Sequence, residues 1–180
     1  LDLPIDIIAT SHGVIWRDNP MQIVDKYVQW ADDYQEDQLT ILYDTMWEGT
    51  AAIAQEISRA AAKVSPDTMV RMFNCSKSDM SEMMTEVFKS KALAVGSPTI
   101  SRDIMMGVST TIRFMKSLKF KNKRAAAFGC YGWSGESVEI LKKELADAGF
   151  QVTDTNIRSM WKPNDEDLES AEELVKALLG

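Results

Sequence analysis

Leu39-Thr40-Ile41-Leu42-Tyr43-Asp44-Thr45-Met46-Trp47-Glu48-Gly49-Thr50 decides the fold. Its first half is a short apolar run of the kind a strand buried on both faces carries. Its second half is a polar loop closed by a glycine. Thr50 to Lys63 follows, rich in Ala, Ile and Glu, and reads as a helix. A buried strand running straight into a helix is the opening of a parallel strand–helix–strand unit.

The same alternation continues downstream. Thr68 to Phe73 reads as a second strand, and Ser78 to Lys89 as a helix with Asp79 and Glu82 in its first turn. Ala92 to Val95 is a short apolar third strand ended by Gly96. Ile104 to Leu118 reads as a helix, Ala125 to Phe128 as the fourth strand, and Ser134 to Ala148 as a helix stopped by Gly149. Phe150 to Ile157 is the expected fifth strand, and Asn164 to Leu179 a closing helix. Five strands alternating with helices predict an α/β doubly wound parallel sheet, order 2-1-3-4-5, with helices on both faces. In such a sheet, ligands bind outside the carboxyl ends of the strands, near the switch point between strands one and three.

Residues 1–37 differ in character. They read as a short strand, a turn, and a helix from about Asn19 to Asp33, with Asn19 as cap and Pro20 in the first turn. Ile23, Tyr27 and Trp30 form its apolar side, and an acidic stretch, Asp32 to Asp37, connects to the rest. The expected division is therefore 1–37 and 38–180.

The composition excludes several classes. The chain has 180 residues, 45% hydrophobic and 26% charged, with net charge −7. That charge repels phosphate backbones and anionic lipid, so neither nucleic acid nor a membrane is expected as partner. No apolar run approaches the ~20 residues of a membrane-spanning helix, and the opening residues do not read as a signal peptide. Cys75 and Cys130 match no zinc or iron–sulfur spacing and read as free thiols in a reducing cytoplasm. His12 is the one histidine.

Three loops fall at the expected ligand edge. Thr45-Met46-Trp47-Glu48-Gly49-Thr50 offers hydroxyls, a glycine and the uncapped amides of a helix start, a combination that suits a phosphate; a helix cap by Thr50 accounts for it equally well. It has no lysine and is no Walker A loop. Ser97-Pro98-Thr99-Ile100 after Gly96 forms a stiff polar ledge, or a plain turn. Gly129-Cys130-Tyr131-Gly132-Trp133-Ser134-Gly135 sets aromatics among glycines, suited to stacking on a planar ring, with core packing as the alternative. Its glycine spacing is not the dinucleotide fingerprint. Together the loops suit a phosphorylated flavin, FMN: phosphate on the first loop, ring against the other two, Trp47 approaching from the far side.

Ser11-His12-Gly13-Val14-Ile15-Trp16-Arg17, Tyr43-Asp44-Thr45-Met46, Gly96-Ser97-Pro98-Thr99 and Phe128-Gly129-Cys130-Tyr131-Gly132-Trp133-Ser134-Gly135 together resemble the flavodiiron proteins (A-type flavoproteins) in order and spacing. The flavorubredoxins, anaerobic nitric oxide reductases, are the nearest likeness within that family. The resemblance implies a flavodoxin-like FMN domain, residues 38–180, preceded by the tail of a diiron, metallo-β-lactamase-like domain, residues 1–37. It implies a cytoplasmic oxidoreductase that reduces nitric oxide or dioxygen, assembled head to tail so that one subunit's FMN lies near a neighbouring subunit's irons, with a rubredoxin domain or rubredoxin-type protein as electron donor. His12 matches an iron ligand of the intact parent. The other ligands of that diiron centre are absent, so no metal is expected here and no residue is assigned a catalytic role. Thr45 to Thr50, Ser97 to Ile100 and Gly129 to Gly135 match the three flavin loops. Cys130 stands where the family commonly has serine, a better hydrogen-bond donor than a thiol. The implied role of this segment alone is electron transfer. The alternatives are a self-standing NAD(P)H:quinone reductase, a phospho-receiver (which lacks its acceptor Asp here, since strand three ends Gly96-Ser97-Pro98), and an assembly domain that has lost its flavin.

Overall fold

The computed structural model describes residues 4–180; the strand expected at the start of the chain lies partly outside them. The chain divides into two compact units, Leu1–Tyr34 and Gln35–Gly180.

In the first unit, Ile8 and Trp16 pair through one antiparallel bridge, with reciprocal backbone hydrogen bonds of 3.1 and 2.9 Å. Helix α1 spans Met21–Ala31, two residues shorter at each end than expected. Asn19 is not its cap. It takes a left-handed backbone (φ 52°), and Pro20 occupies the cap position without any side-chain hydrogen bond. Tyr27 and Trp30 meet edge to face at 5.5 Å.

The second unit runs β1 (Glu36–Tyr43), α2 (Gly49–Val64), β2 (Met69–Asn74), α3 (Met80–Lys89), β3 (Ser90–Gly96), α4 (Met106–Leu118), β4 (Arg124–Tyr131), α5 (Ser137–Asp147), β5 (Gln151–Val152), β6 (Ile157–Met160) and α6 (Asp165–Leu179). The sheet is parallel in the order β2-β1-β3-β4-β5, as the alternation requires, with β6 also paired to β4. Side-chain alternation divides the core. Leu42, Leu93, Val95, Ala125 and Ala127 face α3, α4 and α5. Leu39, Ile41, Ala92, Ala94, Ala126 and Phe128 face α2 and α6. Each fully buried Leu, Ile or Phe contributes roughly 1.5–3 kcal/mol, so both faces hold the sheet.

Helix ends follow local chemistry. Asp79 caps α3, accepting the amides of Ser81 and Glu82, and Asn164 and Asp167 form a reciprocal capping box at α6.

The fifth strand departs from expectation. It is two pieces: β5 pairs with Arg124 and Ala125, and β6 pairs with Phe128 to Tyr131. Between them, the Thr153 hydroxyl donates to the Thr155 carbonyl (3.1 Å) and the Asn156 amide to the Asp154 carbonyl (3.0 Å). These local side-chain bonds compete with the ladder and break it. The strand therefore resumes and ends three residues beyond Ile157, at Met160.

Candidate functional site

Beyond the strand ends, backbone hydrogen bonds stitch the loops into one rim. Asp44 N–H donates to the Gly96 carbonyl (3.1 Å), Ser97 N–H to Phe128 (3.1 Å), Thr99 N–H to Cys130 (2.8 Å) and Trp161 N–H to Tyr131 (2.7 Å). A cavity of about 660 Å³ opens on this rim.

Its floor is the start of α2. Asp44, buried at the end of β1, accepts the Thr45 amide at 2.9 Å and the Ser76 hydroxyl, fixing how the chain leaves the strand. Glu48 then turns through a left-handed conformation (φ 62°) and gives α2 no side-chain cap. Thr50 lies inside the helix, 1% exposed, and does not serve as the cap. The hydroxyls of Thr45 and Thr50 are buried without a hydrogen-bond partner. An orphaned buried hydroxyl costs about 1–3 kcal/mol. Two of them beside uncapped helix amides make a donor set suited to an anion.

The walls come from the other two loops. Pro98 and Thr99 line the cavity, as do Cys130, Tyr131, Gly132 and Trp133. Trp47 and Trp133 are 89% and 87% exposed, so their rings are free to cover a ligand. The Arg158 guanidinium sits 4.9 Å over the Tyr131 ring and donates to the Ser134 carbonyl at 2.8 Å. The Cys130 sulfur faces the phosphate-type loop: a β-carbon placed on Gly49 would lie 3.0 Å from it. Burial pushes the Cys130 thiol up to about 11; the Thr50 and Ser159 hydroxyls beside it pull the other way, although the Thr50 hydroxyl makes no well-formed hydrogen bond. The thiol is a neutral wall.

Of the residues expected from sequence, the structure brings together Thr45, Met46, Trp47, Glu48, Gly49, Thr50, Pro98, Thr99, Cys130, Tyr131, Gly132 and Trp133. It keeps five others out of the lining. Ser97 is fully buried, donating to the Pro98 carbonyl and accepting the Met105 amide, both at 2.9 Å, so it braces the ledge from within. Ile100 pairs with Asp103 in a tight turn. Gly129 packs against the Ser97 carbonyl, where a β-carbon would come within 2.1 Å. Ser134 turns its hydroxyl to Glu136 (2.8 Å), and Gly135, at φ 71°, makes room for Arg158 and Tyr131. His12 is exposed and belongs to the other unit.

Sequence reasoning missed Trp161 and Lys162, which also line the cavity. The Trp161 ring lies over Gly132 and meets Trp133 at 5.6 Å. An aromatic and a cation just before Pro163 were the available signal, hidden because the last strand was expected to stop at Ile157.

Comparison with known proteins agrees with this geometry. Over 172 residues, 96% of the chain, it is 45% identical to an anaerobic nitric oxide reductase flavorubredoxin of Escherichia coli O1:K1 / APEC. The chain spans 36% of that relative's length. Rubredoxin oxygen:oxidoreductase from Desulfovibrio gigas superposes with a TM-score of 0.91 at 30% identity, over 97% of this chain and 43% of that one. The flavodiiron protein of Giardia intestinalis gives 0.89 at 27% identity, over 97% and 44%. The profile of the Flavodoxin family matches residues 41–174, the stretch that builds the sheet and all the loops of the rim, and the chain belongs to that family.

Proposed function

We propose that this chain is an FMN-binding electron-transfer domain, and that within a longer flavodiiron-type protein it relays electrons from a rubredoxin-type donor to a diiron site. The observation that carries the first half is the pair of orphaned hydroxyls, Thr45 and Thr50, at the uncapped start of α2. Thr45, Thr50 and the first-turn amides would hold the phosphate. Trp47, Tyr131 and Trp133 would wall the ring, and Pro98 and Thr99 would give it a stiff edge. Bound FMN supplies reversible one- and two-electron redox chemistry. The chain's part is to grip the phosphate, exclude water from the ring and set its electrostatic surroundings. The acidic surface disfavours added negative charge there, an effect that salt screens.

The second half rests on likeness to the flavorubredoxin and to the rubredoxin oxygen:oxidoreductase. In this reading residues 1–37 are the tail of a diiron domain and His12 is an iron ligand of the intact parent, in a cytoplasmic head-to-tail oligomer. Among the described residues no three His, Cys, Asp or Glu side chains gather as a metal site needs, and no step through iron is derived for this segment. No helix among them is long and apolar enough to cross a membrane.

Reconstitution with FMN tests the reading. The chain is expected to retain one FMN through gel filtration, with an absorption band at about 450 nm. Loss of all flavin on the column sinks it.

A further inference from the structure

We propose that Lys162 is the cation that makes this site select a phosphorylated flavin over an unphosphorylated one. The proposal rests on the flavin reading above and adds to it a charged phosphate contact from the segment that follows β6.

Glu48 and Lys162 carry the only charged side chains of the cavity lining among the described residues. Lys162 makes no ion pair among those residues. An unpaired ammonium therefore borders the cavity that holds two unpartnered, buried hydroxyls.

Its placement is enforced from both sides. Trp161 is held left-handed (φ 63°) with its amide on the Tyr131 carbonyl at 2.7 Å. Its own carbonyl oxygen comes within 3.2 Å of where a Gly49 β-carbon would stand, so the backbone beside Lys162 runs close to the first residue of α2. On the other side Pro163 is buried and Asn164 is locked in its capping box. Asp167, the second member of that box, also accepts the Ser159 hydroxyl of β6 at 2.7 Å, tying strand to helix across Lys162. The chain thus sets Lys162 in the lining of the same cavity as the helix start, whose dipole and hydroxyls already favour an anion.

A phosphate dianion satisfies all of these groups at once. The hydroxyls and amides recognise its oxygens, and Lys162 offsets both its charge and that of Glu48. Riboflavin has the ring without the dianion and gains nothing from the lysine.

The test is fluorescence titration of the chain, and of Lys162→Gln and Lys162→Arg, with FMN and with riboflavin at low and high ionic strength. Lys162→Gln is expected to weaken FMN about tenfold at low salt while leaving riboflavin within about twofold. Lys162→Arg keeps most of the FMN affinity, and added salt narrows the deficit. Equal losses for both flavins, or unchanged FMN affinity, overturn the assignment while leaving the flavin reading in place. A wild-type chain that binds neither flavin overturns that reading itself and the role of Lys162 with it.

Discussion

Gly49 leaves the space that Cys130 needs at the cavity floor: a β-carbon on Gly49 would lie 3.0 Å from the Cys130 sulfur and 3.2 Å from the Trp161 carbonyl oxygen. Gly49→Ala is therefore expected to push α2's first residue away from β4 and raise the Kd for FMN about tenfold. Adding Cys130→Ala removes the sulfur but leaves the carbonyl, so it recovers part of the loss. Flavin titration of the four species of this double-mutant cycle checks it; strict additivity contradicts the contact.

Thr50 separates stability from binding. Its buried hydroxyl has no partner in the ligand-free chain, so the isosteric Thr50→Val relieves a desolvation cost. The flavin-free variant should melt about 2–4 °C higher and bind FMN about tenfold more weakly, because a donor to a charged phosphate is gone. A lower melting temperature would mean that the hydroxyl is satisfied in the folded chain.

Acid sensitivity should track Glu86. Burial pushes this carboxyl up, but hydrogen bonds from Lys89 (2.8 Å) and Gln38 (3.0 Å), with the Arg71 charge, outweigh it and hold the group below its ordinary value. A depressed folded-state pKa contributes stability above the unfolded-chain value and loses it as pH falls through the folded one. Glu86→Gln should therefore lower Tm by a few degrees at neutral pH, and the gap to wild type should close as pH falls below about 4. A gap independent of pH would refute a charge-based contribution.

Both thiols should be slow in the folded chain. Burial pushes Cys75 up to about 12 and Cys130 up to about 11, so neither is appreciably thiolate at about pH 8. Iodoacetamide is expected to label the native chain far more slowly than the chain in denaturant, with mass spectrometry as the readout. Bound FMN should protect Cys130, which lines the cavity, more than Cys75, which does not. Equal protection of both would point to general tightening of the fold.

The sheet was legible because parallel strands buried on both faces read as apolar runs: Leu39 to Tyr43, Ala92 to Val95 and Ala125 to Phe128 all lie in the strands where the pattern puts them. The last strand was not, because β6 has only four residues and buries only Ile157 and Ser159, too short an alternation to stand out. Missing its end hid Trp161 and Lys162. The loops were read as wholes, whereas the structure uses them residue by residue. Ser97 and Gly129 serve the rim's internal bonding and close packing, which composition does not distinguish from ligand contact. Asn19 beside Pro20 has the composition of a helix cap, yet the backbone there turns left-handed.

The interruption at residues 153–156 gives this molecule a splice point. The outer ribbon is fastened to β4 above and below it by separate sets of rungs, so each segment keeps its own footing. A peptide tag grafted between Asp154 and Thr155 would lengthen the chain there without transmitting a shift to Trp161 or Lys162, providing an attachment site for a reporter within a few residues of the cavity mouth.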